Sequence, residues 1–320
     1  MEYPILLPNI FNHPFTYESD LDLKIGEYVL VPFGKNKLTG VVWDKLEDNE
    51  QKKFKLKKVF KKLKVKPLKK TTINFLNWFS EYNIIPKGMA LKSMLLSNNA
   101  IEDNIKNNFK VFESKIKNNS IKLTEDQKKS LKEMVVSSNK FRVHVLQGTT
   151  GSGKTFVYFE ALKSIIKKGF QGLILLPEIG LTGQFEQKFV EYFGFNPAVW
   201  HSGISKKRKE IIWNGISNGK IQVIIGARSS LLLPFKKLGI IIVDEEHDTS
   251  YKQDEGVIYN ARDMAISRAN FENIPIHLVT SIPSIETYNN ICNKKYRHVK
   301  INKRFNEYPL PDTKIVNLNI

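Results

Sequence analysis

The sequence predicts an α/β fold built on a parallel sheet, preceded by a small mixed α+β domain. Three observations predict it. From residue 123 onward, short apolar runs alternate with segments of helical length. Two of the runs, Leu173-Ile174-Leu175-Leu176 and Ile240-Ile241-Ile242-Val243, are almost unbroken, as suits central strands covered on both faces. Between a strand-like run, Val143-His144-Val145-Leu146, and a helix-like segment, Phe156 to Lys168, lies Gly148-Thr149-Thr150-Gly151-Ser152-Gly153-Lys154-Thr155. That stretch fits the G-x-x-x-x-G-K-[ST] phosphate loop.

In chain order, residues 1–98 predict the mixed domain. Tyr28 to Pro32 and Leu38 to Trp43 alternate as strands, and Gly34-Lys35-Asn36-Lys37 suits the hairpin connection. Ile73, Phe75, Leu76, Trp78, Phe79 and Tyr82 fall at helical spacing over 71–82. Pro86-Lys87-Gly88 ends that helix, and a second is expected from Met89 to Leu96. Residues 99–122 are rich in Asn, Lys and Ser and predict a linker. Residues 123–320 form the α/β layer, with strands expected at 143–147, 173–177, 222–226, 239–243 and 276–280. Ligands are expected at the carboxyl ends of those strands.

Charge narrows the function classes. The 320 residues carry a formal net charge of +18. Residues 51–70 hold 11 lysines and no Asp or Glu, with apolar residues interleaved, so a folded basic face is expected there. Such a balance favours an anionic partner, with nucleic acid the first candidate. Biased composition of a Lys-, Asn- and Ile-rich chain is the other explanation. No apolar run reaches the length of a membrane span, and the start lacks a secretory signal pattern. Cys292 is the single cysteine, which excludes a disulfide framework and a cysteine-cluster zinc site in these residues. A cytoplasmic location is the expectation.

The chemistry-bearing residues follow from the loop. Backbone N–H groups from Gly148 to Thr155 form an anion cradle, Lys154 reaches the β/γ-phosphates and Thr155 ligates Mg²⁺. Val243-Asp244-Glu245-Glu246-His247 ends a buried strand in acid. Asp244 is expected to hold Mg²⁺, Glu245 to polarise the attacking water, and Glu246 and His247 to pass the hydrolysis state onward. A packed structural role is the alternative for His247. Thr124 and Gln127 have capping-box spacing; the alternative for Gln127 is a contact to an adenine edge. Two loops, Pro177 to Thr182 and Gly226 to Ser230, offer N–H groups, hydroxyls and Arg228 for phosphate backbones, or serve as ordinary helix caps. Tyr251-Lys252 and Tyr259-Asn260-Ala261-Arg262 place aromatics among cations, suiting unpaired bases or simple packing over the sheet.

Together these strings resemble one family, the primosomal protein N′ (PriA) replication-restart DNA helicases of superfamily 2. The resembling segments are Gly148 to Thr155, Leu175 to Thr182, His201-Ser202-Gly203, Ile225 to Leu231, Val243 to Asp248, Ser250 to Gln253 and Tyr259 to Asp263. Val31-Pro32-Phe33-Gly34-Lys35 and Gly40-Val41-Val42 resemble its 3′-end DNA-binding domain. The resemblance implies a P-loop NTPase (RecA-like) helicase lobe at 123–320 behind a DNA-binding domain at 1–98. It implies a DNA-dependent ATPase and 3′-to-5′ helicase that uses ATP and Mg²⁺ at stalled forks. Lys154 and Glu245 would be catalytic, and Gln127 would join Gly148 to Thr155 at the nucleotide. Phe15, Gly34 and Lys57 would line the 3′-end pocket, and Pro177, Arg228, Ser229, Tyr251, Lys252, Tyr259 and Arg262 would touch DNA. Forked and single-stranded DNA, other primosome proteins and single-strand-binding protein are the implied partners, with no membrane.

The sequence also departs from the family. Thr16 stands where an Asp is usual, Ile282 replaces a coupling hydroxyl, and Val257 replaces a Trp. The linker is too short for the usual winged-helix domain. The second lobe, its arginine finger and the cysteine-rich zinc insertion are not among these 320 residues. Weak turnover by this chain is therefore expected. The alternative reading is a shortened forked-DNA-binding protein that binds ATP with little hydrolysis. A small-molecule P-loop kinase explains neither the basic domain nor the Arg228 loop.

Overall fold

The computed structural model describes residues 1–44, 56–95, 101, 112, 122–135, 140–180 and 183–304. The near-continuous apolar runs become the centre of a seven-stranded sheet, because only a position between two helical layers hides both faces of such a strand. Its strands are β6 (Arg142–Gly148), β7 (Gln171–Leu175), β8 (Ala198–Trp200), β9 (Val223–Gly226), β10 (Leu238–Val243), β13 (Pro275–Thr280) and β14 (Arg297–Ile301), while β11 (Lys252–Gln253) and β12 (Tyr259–Asn260) pair with each other outside it. The order is β14-β6-β13-β10-β7-β9-β8, parallel throughout. All six residues of β10 and all five of β7 are buried. The edge strand β14 instead alternates, with Val299 and Ile301 buried and Arg297 and Lys300 outside, which suits an edge kept from further pairing.

Helices α3 (Glu125–Val135), α4 (Lys154–Lys167), α5 (Gly183–Phe193), α6 (Lys206–Ser217), α7 (Ala261–Glu272) and α8 (Ile285–Cys292) lie within this part of the chain. On α4, Val157, Tyr158, Ala161, Leu162, Ile165 and Ile166 recur at helical spacing and are all buried. They meet Phe189 and Phe193 of α5 in one core layer with Ile174 and Ile242 of the sheet.

The preceding residues build a five-stranded antiparallel sheet in the order β2-β1-β4-β3-β5. These strands are β1 (Glu2–Leu6), β2 (Phe15–Glu18), β3 (Tyr28–Phe33), β4 (Asn36–Val42) and β5 (Lys61–Lys62). Phe33 pairs with Asn36, so Gly34 and Lys35 form the tight turn, and Gly34 takes the φ of +58° that such a turn demands. Helices α1 (Lys70–Tyr82) and α2 (Lys87–Met94) follow. Of the expected linker only residues 101, 112 and 122 are described, and Ile101 and Phe112 are buried. Lysines 52, 53 and 55 of the basic stretch, and Leu181-Thr182, lie outside the described residues.

The two sheets share a core. Tyr28, Phe75 and Phe79 belong to the same buried cluster as Trp213, Phe235 and Tyr259. The Trp213 indole N–H donates to the Met94 carbonyl at 3.0 Å. Glu272, near-fully buried at the end of α7, takes the Lys69 ammonium at 2.5 Å and the Thr72 hydroxyl at the start of α1.

Candidate nucleotide site and nucleic-acid interface

The phosphate loop leaves β6 at Gly148 and enters α4 at Lys154. Gly151 and Gly153 have φ of +83° and +78°, a conformation costly for any residue with a Cβ. A Cβ at Gly153 would also run into the Gln127 amide. Lys154 is buried, and its ammonium donates to the Gly148 carbonyl at 2.7 Å. Desolvation pulls its pKa below the usual lysine value, while Glu245 and Asp244 hold it up. Gln127 does two things. It completes the capping box with Thr124, accepting that residue's N–H at 2.9 Å, and it donates to the Ser152 carbonyl at 2.9 Å. The capping box therefore also fastens α3 to the loop, and the Gln127 side chain is buried there.

Asp244 leaves the end of β10, next to β7, with its N–H on the Leu175 carbonyl at 3.0 Å. One carboxylate oxygen accepts the Tyr158 hydroxyl at 2.8 Å and the other accepts the Glu245 N–H at 3.0 Å. Desolvation raises its pKa to about 6, with Tyr158 and Lys154 opposing and Glu245 adding. Thr155 stands one helical turn before Tyr158 on α4. The buried phenol thus holds one of the two side chains expected to share a magnesium ion. Glu245 takes φ of +46°, a strained conformation for a residue other than glycine and common at functional turns.

These residues fit a magnesium–nucleotide. Thr155 and Asp244 are hard oxygen donors, as Mg²⁺ requires. The Ser152 hydroxyl is buried with no hydrogen-bond partner among the described residues, inside a loop whose N–H groups suit anions. When bound, Mg²⁺ would neutralise phosphate charge as it develops.

Glu246 turns the other way. Its buried carboxylate accepts from the Ser284 N–H (2.8 Å), the Ser284 hydroxyl (3.1 Å), the Thr287 hydroxyl (2.9 Å) and Arg262 (3.3 Å). It thereby ties the acidic turn to the N-terminus of α8. His247 Nδ1 lies 2.8 Å from the Thr280 hydroxyl, which in turn donates to the Ile282 carbonyl at 2.7 Å. His247 thus touches the last residue of β13 and Glu246 the segment that follows it.

The nucleic-acid candidates divide by exposure. Arg228 and Ser229, after β9, and Lys252 stand at the surface or partly so. Arg228 donates to the Lys252 carbonyl at 2.7 Å and pairs with Glu178 at 3.4 Å, and Ser229 accepts the Trp200 indole N–H. Pro177 is buried. Tyr251, Tyr259 and Arg262 do not present the faces expected of them. Tyr251 is buried with its hydroxyl at the carbonyls of Asp244 (2.5 Å) and Leu175 (3.0 Å), and Tyr259 packs edge-on against Phe79. Arg262 is enclosed by Glu246, Asp263 and Ser284. Packing over the sheet, the other sequence expectation, describes these three. Val257 is half-buried, and Ile282 is exposed.

In the antiparallel sheet Phe15 lies 5.3 Å from Phe33, which immediately precedes exposed Gly34. Phe11 and His13 complete a partly exposed aromatic group, a pair that sequence periodicity could not connect because both sit in a loop. Lys57 is exposed, and its carbonyl accepts the Glu18 N–H at the end of β2. Phe60 is exposed with the Lys37 ammonium 4.2 Å from its ring centroid.

Comparison with known proteins bears on both halves. Residues 4–96 match the PriA model described as 3′DNA-binding domain, and residues 124–283 match the DEAD/DEAH box helicase model. The chain belongs to the DEAD/DEAH box helicase family. Replication restart protein PriA of Rickettsia conorii is 41% identical over 318 residues, 98% of this chain and 48% of that protein. PriA of Bacillus subtilis is 35% identical over 63% of this chain and 25% of its own length. RecG bound to a three-way DNA junction aligns with 25% identity and a TM-score of 0.44, over 64% of this chain and 28% of RecG. The chain spans about half the length of its Rickettsia relatives. Its helicase-family lobe is the parallel-sheet layer, and the 3′DNA-binding match covers the antiparallel sheet with α1 and α2.

Proposed function

We propose that this chain is the nucleotide-binding and DNA-engaging part of a replication-restart DNA helicase that acts at stalled forks. The observation that carries the reading is the convergence of Lys154, Thr155, Asp244 and Glu245 at the carboxyl edge of one parallel sheet, with Tyr158 of the same helix donating to Asp244. In this reading residues 1–98 capture a DNA 3′ end through Phe15, Gly34 and Lys57, and residues 123–320 bind ATP with Mg²⁺. Arg228, Ser229 and Lys252 hold the phosphate backbone without reading sequence. Glu245 polarises water, and Glu246 with His247 reports the nucleotide state to the segment after β13. Translocation from 3′ to 5′, and contacts with other primosome proteins and single-strand-binding protein, belong to the same reading. So does a cytoplasmic location. Among the described residues no helix is long and apolar enough to cross a membrane.

The test pairs two measurements on the 320-residue polypeptide. Fluorescence anisotropy with forked DNA bearing or lacking a 3′ end at the junction should show preference for the 3′ end. A fluorescent ATP analogue should bind with Mg²⁺ and lose at least ~tenfold in affinity in Lys154→Ala, the loss expected of a charge-assisted phosphate contact. Nucleotide binding unaffected by Lys154→Ala would remove the foundation of the proposal.

A further inference from the structure

Tyr158 occupies a position on α4 where the helix asks only for an apolar residue. Its neighbours Val157, Phe159, Ala161 and Leu162 are all buried and carry no polar atom on their side chains. A phenylalanine would fill the same space. Burying a hydroxyl is costly unless it is hydrogen-bonded, so the partner of this one identifies its purpose. Its side-chain partner is Asp244, at 2.8 Å.

The direction of this bond matters. A carboxylate that ligates a cation must keep a lone pair free while its oxygens are held in place. The Tyr158 phenol donates to Asp244 Oδ2 at 2.8 Å, and the Glu245 N–H fixes Oδ1 at 3.0 Å. From below, Tyr251 holds the backbone of Asp244, with its hydroxyl 2.5 Å from that residue's carbonyl. No solvent reaches Tyr158 to compete for this bond.

We propose that Tyr158 is a positioning residue that orients Asp244 as a ready magnesium ligand. This rests on the nucleotide-site reading above. The test measures the Mg²⁺ requirement for binding a fluorescent ADP analogue, by titrating Mg²⁺ into unsubstituted protein and Tyr158→Phe. Losing a hydrogen bond to a charged group predicts an about tenfold rise in the Mg²⁺ concentration for half-maximal binding. Affinity in EDTA should stay within about twofold, because phosphate contacts to the loop do not involve the phenol. Asp244→Asn and Tyr158→Phe should combine to less than the product of their single effects, since both disturb one ligand. An unchanged Mg²⁺ requirement in a folded Tyr158→Phe overturns the proposal. A second measurement needs no substitution: the shielded Tyr158 hydroxyl proton resonance should shift on adding Mg²⁺ with the analogue, and a static resonance overturns the proposal equally. If the unsubstituted protein binds no nucleotide, the site reading itself fails and takes this inference with it. Binding that is Mg²⁺-dependent but indifferent to Tyr158 sinks only the inference.

Discussion

Replacing Arg262 by Ala separates a structural cation from a DNA-contacting one. The guanidinium side chain is 9% exposed and its partner Glu246 is 0% exposed. Removing the arginine leaves a buried carboxylate without its countercharge, a change that costs about 3–5 kcal/mol. Glu246 keeps the Ser284 N–H and the Ser284 and Thr287 hydroxyls, which places the loss toward the lower figure. At ~3 °C per kcal/mol for a domain of this size, a loss of ~3 kcal/mol lowers the melting temperature by about 10 °C. Differential scanning calorimetry reads that shift, and anisotropy with single-stranded DNA below the transition reads binding. Binding per folded molecule should be nearly unchanged. A variant that melts within ~2 °C of the parent while losing most of its DNA affinity would refute the argument, because it would show an arginine acting at the surface.

Two further outcomes follow. His144 and His277 stand side by side on β6 and β13, both buried, with ring centroids 5.3 Å apart. Burial lowers the His144 pKa from 6.5 to about 4 and holds that of His277 well below the usual histidine value. Between about pH 6.5 and 4 the unfolded chain binds protons that the folded one refuses, so stability falls as pH falls through that window. His144 alone is worth on the order of 3 kcal/mol across it. Thermal melts at steps of pH should show the decline, and His277→Leu should flatten it; a melting temperature independent of pH from 7 to 5 would contradict the burial argument. Arg228→Ala should weaken single-stranded DNA binding and reduce the salt slope by about one phosphate contact. Its melting temperature should barely move, because the Arg228–Glu178 pair is a surface one.

The legible parts of the fold were those with a strong local signal. The runs at Leu173 and Ile240 lie in central strands because their hydrophobicity admits no other place, and the glycines of the phosphate loop take the φ values their spacing implies. Strands β1, β8 and β14 were not foreseen. β1 carries Pro4 within its five residues, β8 has three residues, and β14 alternates with charges. Their pairing comes from neighbours distant in sequence, which local patterns do not encode. Residue type alone also misled at Tyr251, Tyr259 and Arg262. An aromatic among cations looks the same in sequence whether it faces solvent or the sheet, and only the partners distinguish them. The hydrogen bond from Tyr158 to Asp244 spans 86 positions and leaves no pattern of its own.

The shared core of the two sheets has a consequence for how the molecule comes apart. Trp213 reaches Met94, Arg268 lies over the Phe75 ring, and Lys69 closes on Glu272, so neither sheet can shed its partner without opening apolar surface to water. Heating should therefore produce a single endotherm instead of two, and limited protease should not release a stable front module. Grafting that module onto another parallel-sheet lobe would require transplanting the contacting face of α7 along with it.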